Sequence, residues 1–203
     1  MSDEESESLW SVNVKTIARE VDVIVSCGDL RKEYLEFLLT MINAPLLYVL
    51  GNHDETGPLR NFLPPLRMGG GSLLTEGGIC IEGRVYDVCG VKFFGLGGSM
   101  RYRPGKNMYT EAEMRWRYIR SMPRIILNGG IDVLVTHAPA RGFGDLDDLA
   151  HRGFETFNAI MTRHRPKYML HGHVHASYGR IKREHSHESG TRIFNVSGYR
   201  IID

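Results

Sequence analysis

Leu46-Leu47-Tyr48-Val49-Leu50 is an unbroken apolar run that stops at Gly51-Asn52-His53-Asp54, and the chain repeats this pattern three more times. A short apolar run bounded by turn residues reads as a strand buried on both faces. An amide, an imidazole and a carboxylate then arrive together where it ends. In open α/β sheets, ligands collect just past the carboxyl ends of the strands. Gly-Asn by itself is common turn chemistry, so the weight lies in the repetition. The run from Val21 to Cys27 stops at Gly28-Asp29, and the run from Ile131 to Thr136 stops at His137. Lys167-Tyr168-Met169-Leu170 leads into His171-Gly172-His173-Val174-His175.

The segments between these runs read as helices and turns. From Lys32 to Asn43, Leu35, Leu38, Leu39 and Ile42 fall at i, i+3, i+4 and i+7, a core stripe ended by Pro45. Strand, helix, strand is the pattern of a parallel βαβ unit. A weaker helix is expected from Val12 to Glu20. Residues 56–78, with Pro64-Pro65 and Gly69-Gly70-Gly71, read as loop; the triplet lacks the Lys-Ser/Thr of a phosphate loop. Three short runs, 79–81, 85–88 and 91–96, are separated by Gly83 and Gly90 and predict an antiparallel meander.

Thr110-Glu111-Ala112-Glu113 opens a helix expected to reach Met122. Another runs from Phe154 to His164, with Phe154, Phe157, Ile160 and Met161 inward. Strands near 179–182 and 191–196 flank a polar loop in which His185 and His187 are expected to be solvated. The acidic first ten residues, taken alone, read as a solvated terminus. No repeat or linker divides the chain, so one domain over residues 1–203 is expected.

Composition removes several function classes. Hydrophobic residues at 42% and charged residues at 24% are ordinary globular values and argue against disorder. Lys+Arg 25 against Asp+Glu 24 gives +1, with no polybasic footprint for nucleic acid or an anionic membrane. No apolar stretch has the length of a membrane span, and no signal-peptide pattern opens the chain. Cys27, Cys80 and Cys89 are odd in number and lack CxxC spacing; Cys27 reads as a small buried hydrophobe. A cytoplasmic location is expected. The oligomeric state is not legible.

The run ends carry Asp29, Asn52-His53, His137 and His173-Val174-His175. Carboxylate, amide oxygen and imidazole are donors for divalent ions, and two such ions roughly 3.5–4 Å apart suit phosphoryl chemistry. Ions that close need a bridging carboxylate, and Asp29 is placed for it. Neutral donors elsewhere leave the site positive for an anionic substrate. In His-x-His the two side chains share a face on an extended strand, and on a turn they splay to serve two ions.

Gly28-Asp29, Gly51-Asn52-His53-Asp54, Thr136-His137 and Gly172-His173-Val174-His175 together resemble the signature set of the calcineurin-like metallophosphoesterases. The resemblance implies an α/β (α+β) fold: a four-layer αββα sandwich, two mixed β-sheets face to face with flanking helices. It implies a dinuclear centre of two divalent ions, Mn2+ first, with Fe, Zn or Mg as alternatives. By analogy Asp29 bridges them, Asn52, His137 and His173 complete one site, and His175 belongs to the other. His53 resembles the histidine that assists the leaving oxygen.

Three features depart from the pattern. Where the family carries Asp-x-His, this chain has Ser2-Asp3-Glu4-Glu5: Asp3 is expected to ligate the ion shared with His175. Glu5 is expected to supply an oxygen in place of a nitrogen, favouring hard ions such as Mn2+ or Mg2+. No strand precedes Asp3 to anchor it. Leu30-Arg31-Lys32 stands where phosphoprotein phosphatases carry Asp-Arg, so the carboxylate that orients the catalytic histidine there is absent, and Asp54 or another group is expected to take its place. Chain size and Gly97-Gly98-Ser99-Met100-Arg101 resemble the small bacterial phosphodiesterase branch. Arg101, Arg103 and His151 are candidates for the substrate phosphate. The expected function is hydrolysis of a small-molecule phosphate ester, foremost a phosphodiester, with nucleic acid not expected. The alternative is a metal-depleted scaffold of the same fold serving protein interaction.

Overall fold

The computed structural model describes residues 1–54, 77–175 and 182–203. The loop expected at 56–78 and the strand expected at 179–182 fall almost wholly outside the described residues. The chain opens with α1 (Val14–Ile17), β1 (Ile24–Ser26), α2 (Lys32–Met41), β2 (Leu46–Tyr48) and β3 (Ile79–Cys80). These three strands form one sheet, parallel throughout, in the order β1-β2-β3. Next come β4 (Val85–Val88), β5 (Val91–Leu96), β6 (Ser99–Met100), β7 (Met108–Tyr109), α3 (Glu111–Leu127) and β8 (Val133–Thr136). The chain ends with α4 (Glu155–His164), β9 (Tyr168–His171), β10 (Glu184–Ser186) and β11 (Arg192–Asn195). The second sheet is mixed, in the order β10-β11-β9-β8-β5-β4, and β6 with β7 makes a small separate ladder.

Side-chain alternation explains why these strands read as continuous apolar runs. On β2, Leu46 and Tyr48 face the layer of α1 and α2, while Leu47 faces the other sheet. On β8, Val133 and Val135 face the first sheet, while Leu134 packs under α3 and α4. Each strand is therefore apolar on both faces, as a strand between two layers must be. The result is four layers with two sheets inside, as the resemblance implies. Each fully buried aliphatic side chain contributes about 1.5–3 kcal/mol, and Leu46, Leu47 and Leu134 are all fully buried.

Three expectations about elements are corrected. The run at 79–81 does not join a meander: β3 pairs in parallel with β2, and of the three runs two, β4 and β5, form an antiparallel hairpin. The chain changes sheets at Glu82, whose carboxylate accepts Leu50 N and Gly97 N and pairs with Arg117. α3 runs through Pro123 to Leu127 because Ile125 is fully buried in the core beneath it, and this packing outweighs the helix-breaking imide. Thr110 caps α3 as expected, and the structure adds the reciprocal bond of a capping box: Glu113 N donates to Thr110 Oγ1 and Thr110 N to Glu113. His185 lies on β10, and His187 is buried against Phe143, so neither is a solvated loop residue.

The largest correction concerns the N-terminus, which is built in rather than solvated. Met1 N donates to Val25 O, Cys27 N to Met1 O, and Asp3 N to Gly28 O. On its other side Ser2 exchanges backbone bonds with Gly198. Residues 1–3 thus fill the gap between the end of β1 and the segment after β11, where both edges present backbone groups in need of partners. Leu9 is buried beside α2, and Trp10 sets its edge against Tyr34 and Phe37. Among the described residues, no helix is long and apolar enough to cross a membrane.

Candidate metal centre

β1, β2, β8 and β9 all deliver their carboxyl ends to one rim. Asp29 follows β1, Asn52 and His53 follow β2, His137 follows β8 and His173 follows β9. One ligand atom from each of Asp3, Asp29 and His137 lies within 4.8 Å of the others. His137 is fully buried, and its Nδ1–H donates to Cys27 O at 2.8 Å. That bond turns Nε2 toward Asn52 Oδ1 at 2.9 Å and Asp29 Oδ2 at 3.2 Å. Donors sharing one ion at about 2.0–2.2 Å sit roughly 3–3.6 Å from each other. Both distances from Nε2 are those of neighbours in one coordination shell, and the donor set fits a divalent ion.

The electrostatics agree. Burial alone would lower the His137 pKa, but the Asp29 carboxylate overcomes it and lifts the ring to about 9. Burial likewise works against the charged Asp29, and the His137 charge wins, holding its pKa below the usual carboxylate value. Asp3 is pushed up, chiefly by burial. His173 is pushed down to about 3 by burial and by the His137 charge, so it stays neutral and able to ligate.

Backbone geometry holds these side chains in place. Asp3, Asp29 and His173 all have positive φ, at 60°, 57° and 67°. A left-handed non-glycine residue costs on the order of 1 kcal/mol or more, and such strain gathers at functional sites. Gly51 and Gly172 leave room for two of these carboxylates. A Cβ at Gly51 would strike the Asp29 carboxylate, and one at Gly172 would strike Ser2 and the Asp3 carboxylate. Asp3 Oδ2 accepts His173 N at 2.9 Å, and Asp29 Oδ1 accepts His53 N at 2.9 Å.

His173 Nε2–H donates to Ala150 O at 2.8 Å, which leaves Nδ1 without that proton and able to act as a donor atom. Its ring lies 4.8 Å from that of His137 and 5.2 Å from that of His151. His151 in turn bonds Asp148 through Nδ1 at 2.9 Å. Of the three residues suggested for substrate phosphate, His151 is the one whose ring lies beside His173, tilted by 36°. The Arg101 guanidinium bonds Met108 O and Glu113, closing β7 onto the start of α3. Arg103 lies over the Tyr102 ring.

The other expected residues divide. His175 Nδ1 lies 3.5 Å from Glu4 Oε1. The His53 side chain is exposed at the rim. Asp54 Oδ2 accepts Gly51 N at 2.7 Å and Asp29 N at 3.0 Å, so it staples two ligand loops together. The oxygen expected from Glu5 is engaged elsewhere: Arg31 Nε donates to Glu5 Oε1 at 2.7 Å and Nη2 to Oε2. The guanidinium fork pairs with both oxygens of the carboxylate at once. Sequence reading missed Asn107, whose Nδ2 donates to Gly51 O and Asp54 O, and Glu82 behind Leu50. Nothing local marks either, because Asn107 acts on Gly51, 56 positions away, and Glu82 on Leu50, 32 positions away.

Residues 7–177 match the calcineurin-like phosphoesterase family. Two Caenorhabditis elegans proteins are similar over shorter stretches. UPF0046 protein T07D4.2 is 41% identical over 56 residues, which is 27% of this chain and 14% of that protein. UPF0046 protein C25E10.12 is 29% identical over 104 residues, 46% of this chain and 34% of that protein. The matched stretch thus spans well under half the length of either relative. Among solved structures, TT1561 of Thermus thermophilus superposes with a TM-score of 0.62 at 13% identity, over 98% of this chain and 87% of that one. A further crystal structure superposes at 0.61 with 17% identity, over 98% and 89%. At such identities the two structures bear on the fold alone.

Proposed function

The chain belongs to the calcineurin-like phosphoesterase family, and from that premise we propose that it is a metal-dependent hydrolase of phosphate esters, phosphodiesters foremost, of the small bacterial phosphodiesterase type. One observation carries the reading: the Asp3, Asp29 and His137 donor atoms converge within 4.8 Å at the shared rim of the strands. Asn52, His137 and His173 would hold one ion and Asp3 and His175 the other, with the Asp29 carboxylate shared between them. Two divalent ions, Mn2+ foremost, neutralise phosphoryl oxygens and make hydroxide available near neutral pH.

The chain's own groups do the rest. Cys27 O and Ala150 O fix the tautomers of His137 and His173, so each presents one chosen nitrogen. Asp54 and Asn107 hold the two ligand loops against each other. His53, exposed at the rim and tied through its backbone to Asp29, is placed to give a proton to the departing alcohol. His151, held by Asp148, faces the substrate beside His173. With Mn2+, the protein is expected to cleave a bis-aryl phosphate, and Asp29→Asn or His173→Ala to reduce turnover to background. Activity that persists in chelator, or in either variant, overturns the scheme.

The Glu5–Arg31 pair supports a second reading, because it removes one expected oxygen from the second ion. A metal-depleted scaffold would hold one ion or none and turn over no ester, which elemental analysis beside an ester screen would reveal.

A further inference from the structure

Resting on the hydrolase reading above, we propose that Glu4 is a ligand of the second ion and that Glu5 is not. Glu4 Oε1 stands 3.5 Å from His175 Nδ1, long for a hydrogen bond and right for two donors on one ion. A tight turn produces this placement: Asp3 has φ 60°, and Glu4 N donates back to Ser2 O at 2.6 Å. Consecutive carboxylates therefore meet alternate residues of the His-x-His segment. Asp3 Oδ2 takes His173 N, and Glu4 reaches His175. The Glu4 side chain is 48% exposed, so ion binding need not break a packed contact. Glu5, one residue on, is held by both arms of the Arg31 fork.

The two ions then sit in chemically unequal shells. The first has an amide oxygen and two imidazoles beside the shared Asp29. The second has Asp3, Glu4 and His175 beside the same carboxylate, three anionic oxygen ligands and one nitrogen. Oxygen-rich shells favour Mn2+ or Mg2+ over Zn2+. The second site is therefore selective for hard ions, and Glu4 sets that selectivity.

Mn2+ stoichiometry by calorimetry, with electron paramagnetic resonance on the same samples, tests the assignment. The wild-type chain is expected to take up two Mn2+ with an exchange-coupled spectrum. Glu4→Gln should keep one ion with an isolated-ion spectrum, its second site weakened on the order of 100-fold or more. Glu5→Gln should match wild type. Glu4→His, which restores a nitrogen donor, should hold both ions and shift the second site from Mn2+ toward Zn2+. Two coupled ions in Glu4→Gln, the loss of one in Glu5→Gln, or an unchanged metal preference in Glu4→His overturns the assignment while leaving the hydrolase reading standing. A wild-type chain that takes up fewer than two Mn2+ overturns both.

Discussion

Gly51→Ala should remove the metal centre by adding one methyl group. Gly51 does not have the left-handed backbone that penalises alanine, so the substitution tests contact alone. Its Cβ would lie 2.8 Å from Asp29 N and closer still to the Asp29 carboxylate. Non-bonded heavy atoms are comfortable at about 3.5 Å, so the Asp29 backbone would have to withdraw by roughly 0.7 Å and the carboxylate by more. Metal–ligand distances tolerate only about 0.2 Å. The move also breaks the bond from His53 N to Asp29 Oδ1 and loosens those from Asp29 N and Gly51 N to Asp54.

Overpacking costs about 1–3 kcal/mol, and losing a hydrogen bond to a charged group about 1.5–3 kcal/mol. After partial relaxation a net loss of about 3–5 kcal/mol is expected, a large share of a typical domain's stability. Urea unfolding measures that loss, and Mn2+ stoichiometry with bis-aryl phosphate turnover measures the site. Gly90→Ala is the control: its φ of 85° gives strain, but nothing lies within 4 Å of the new carbon. It should cost about 1 kcal/mol and keep both ions. A Gly51→Ala chain that binds two ions and turns over at the wild-type rate would refute the placement of Asp29 as the bridge.

Arg117→Met leaves the half-buried Glu82 carboxylate unpaired behind Leu50 and Gly97, and should lower the urea-measured stability by about 3–5 kcal/mol. A loss under about 1 kcal/mol would show the pair to be dispensable. His164 sits against Tyr118, and burial with the nearby Arg163 charge holds its pKa below the ordinary value. The unfolded chain takes the proton first as pH falls. Its contribution is therefore fully present above about pH 6.5 and is lost as pH drops toward the folded value. His164→Gln should flatten that part of the stability-versus-pH curve; an unchanged slope in this window would remove His164 as its source.

The sequence by itself determined which side chains carry donor atoms and that they stand at strand ends. A buried strand must be apolar, so the point where Asp29, Asn52, His137 or His173 interrupts a run is written locally in residue type. The core stripe of α2 and the Thr110 cap of α3 are local in the same way. Tertiary structure decided the rest. β3 reads like a meander strand, yet pairs with β2 because register energy depends on which edge is open, not on the strand's own pattern. Glu4 and Glu5 are the same residue type side by side, and a turn at Asp3 sends one toward His175 and the other toward Arg31. Asp3 meets His173 across 170 positions of chain. Backbone groups left unpaired at two sheet edges make a place for residues 1–3, and such a vacancy exists only once both sheets have formed.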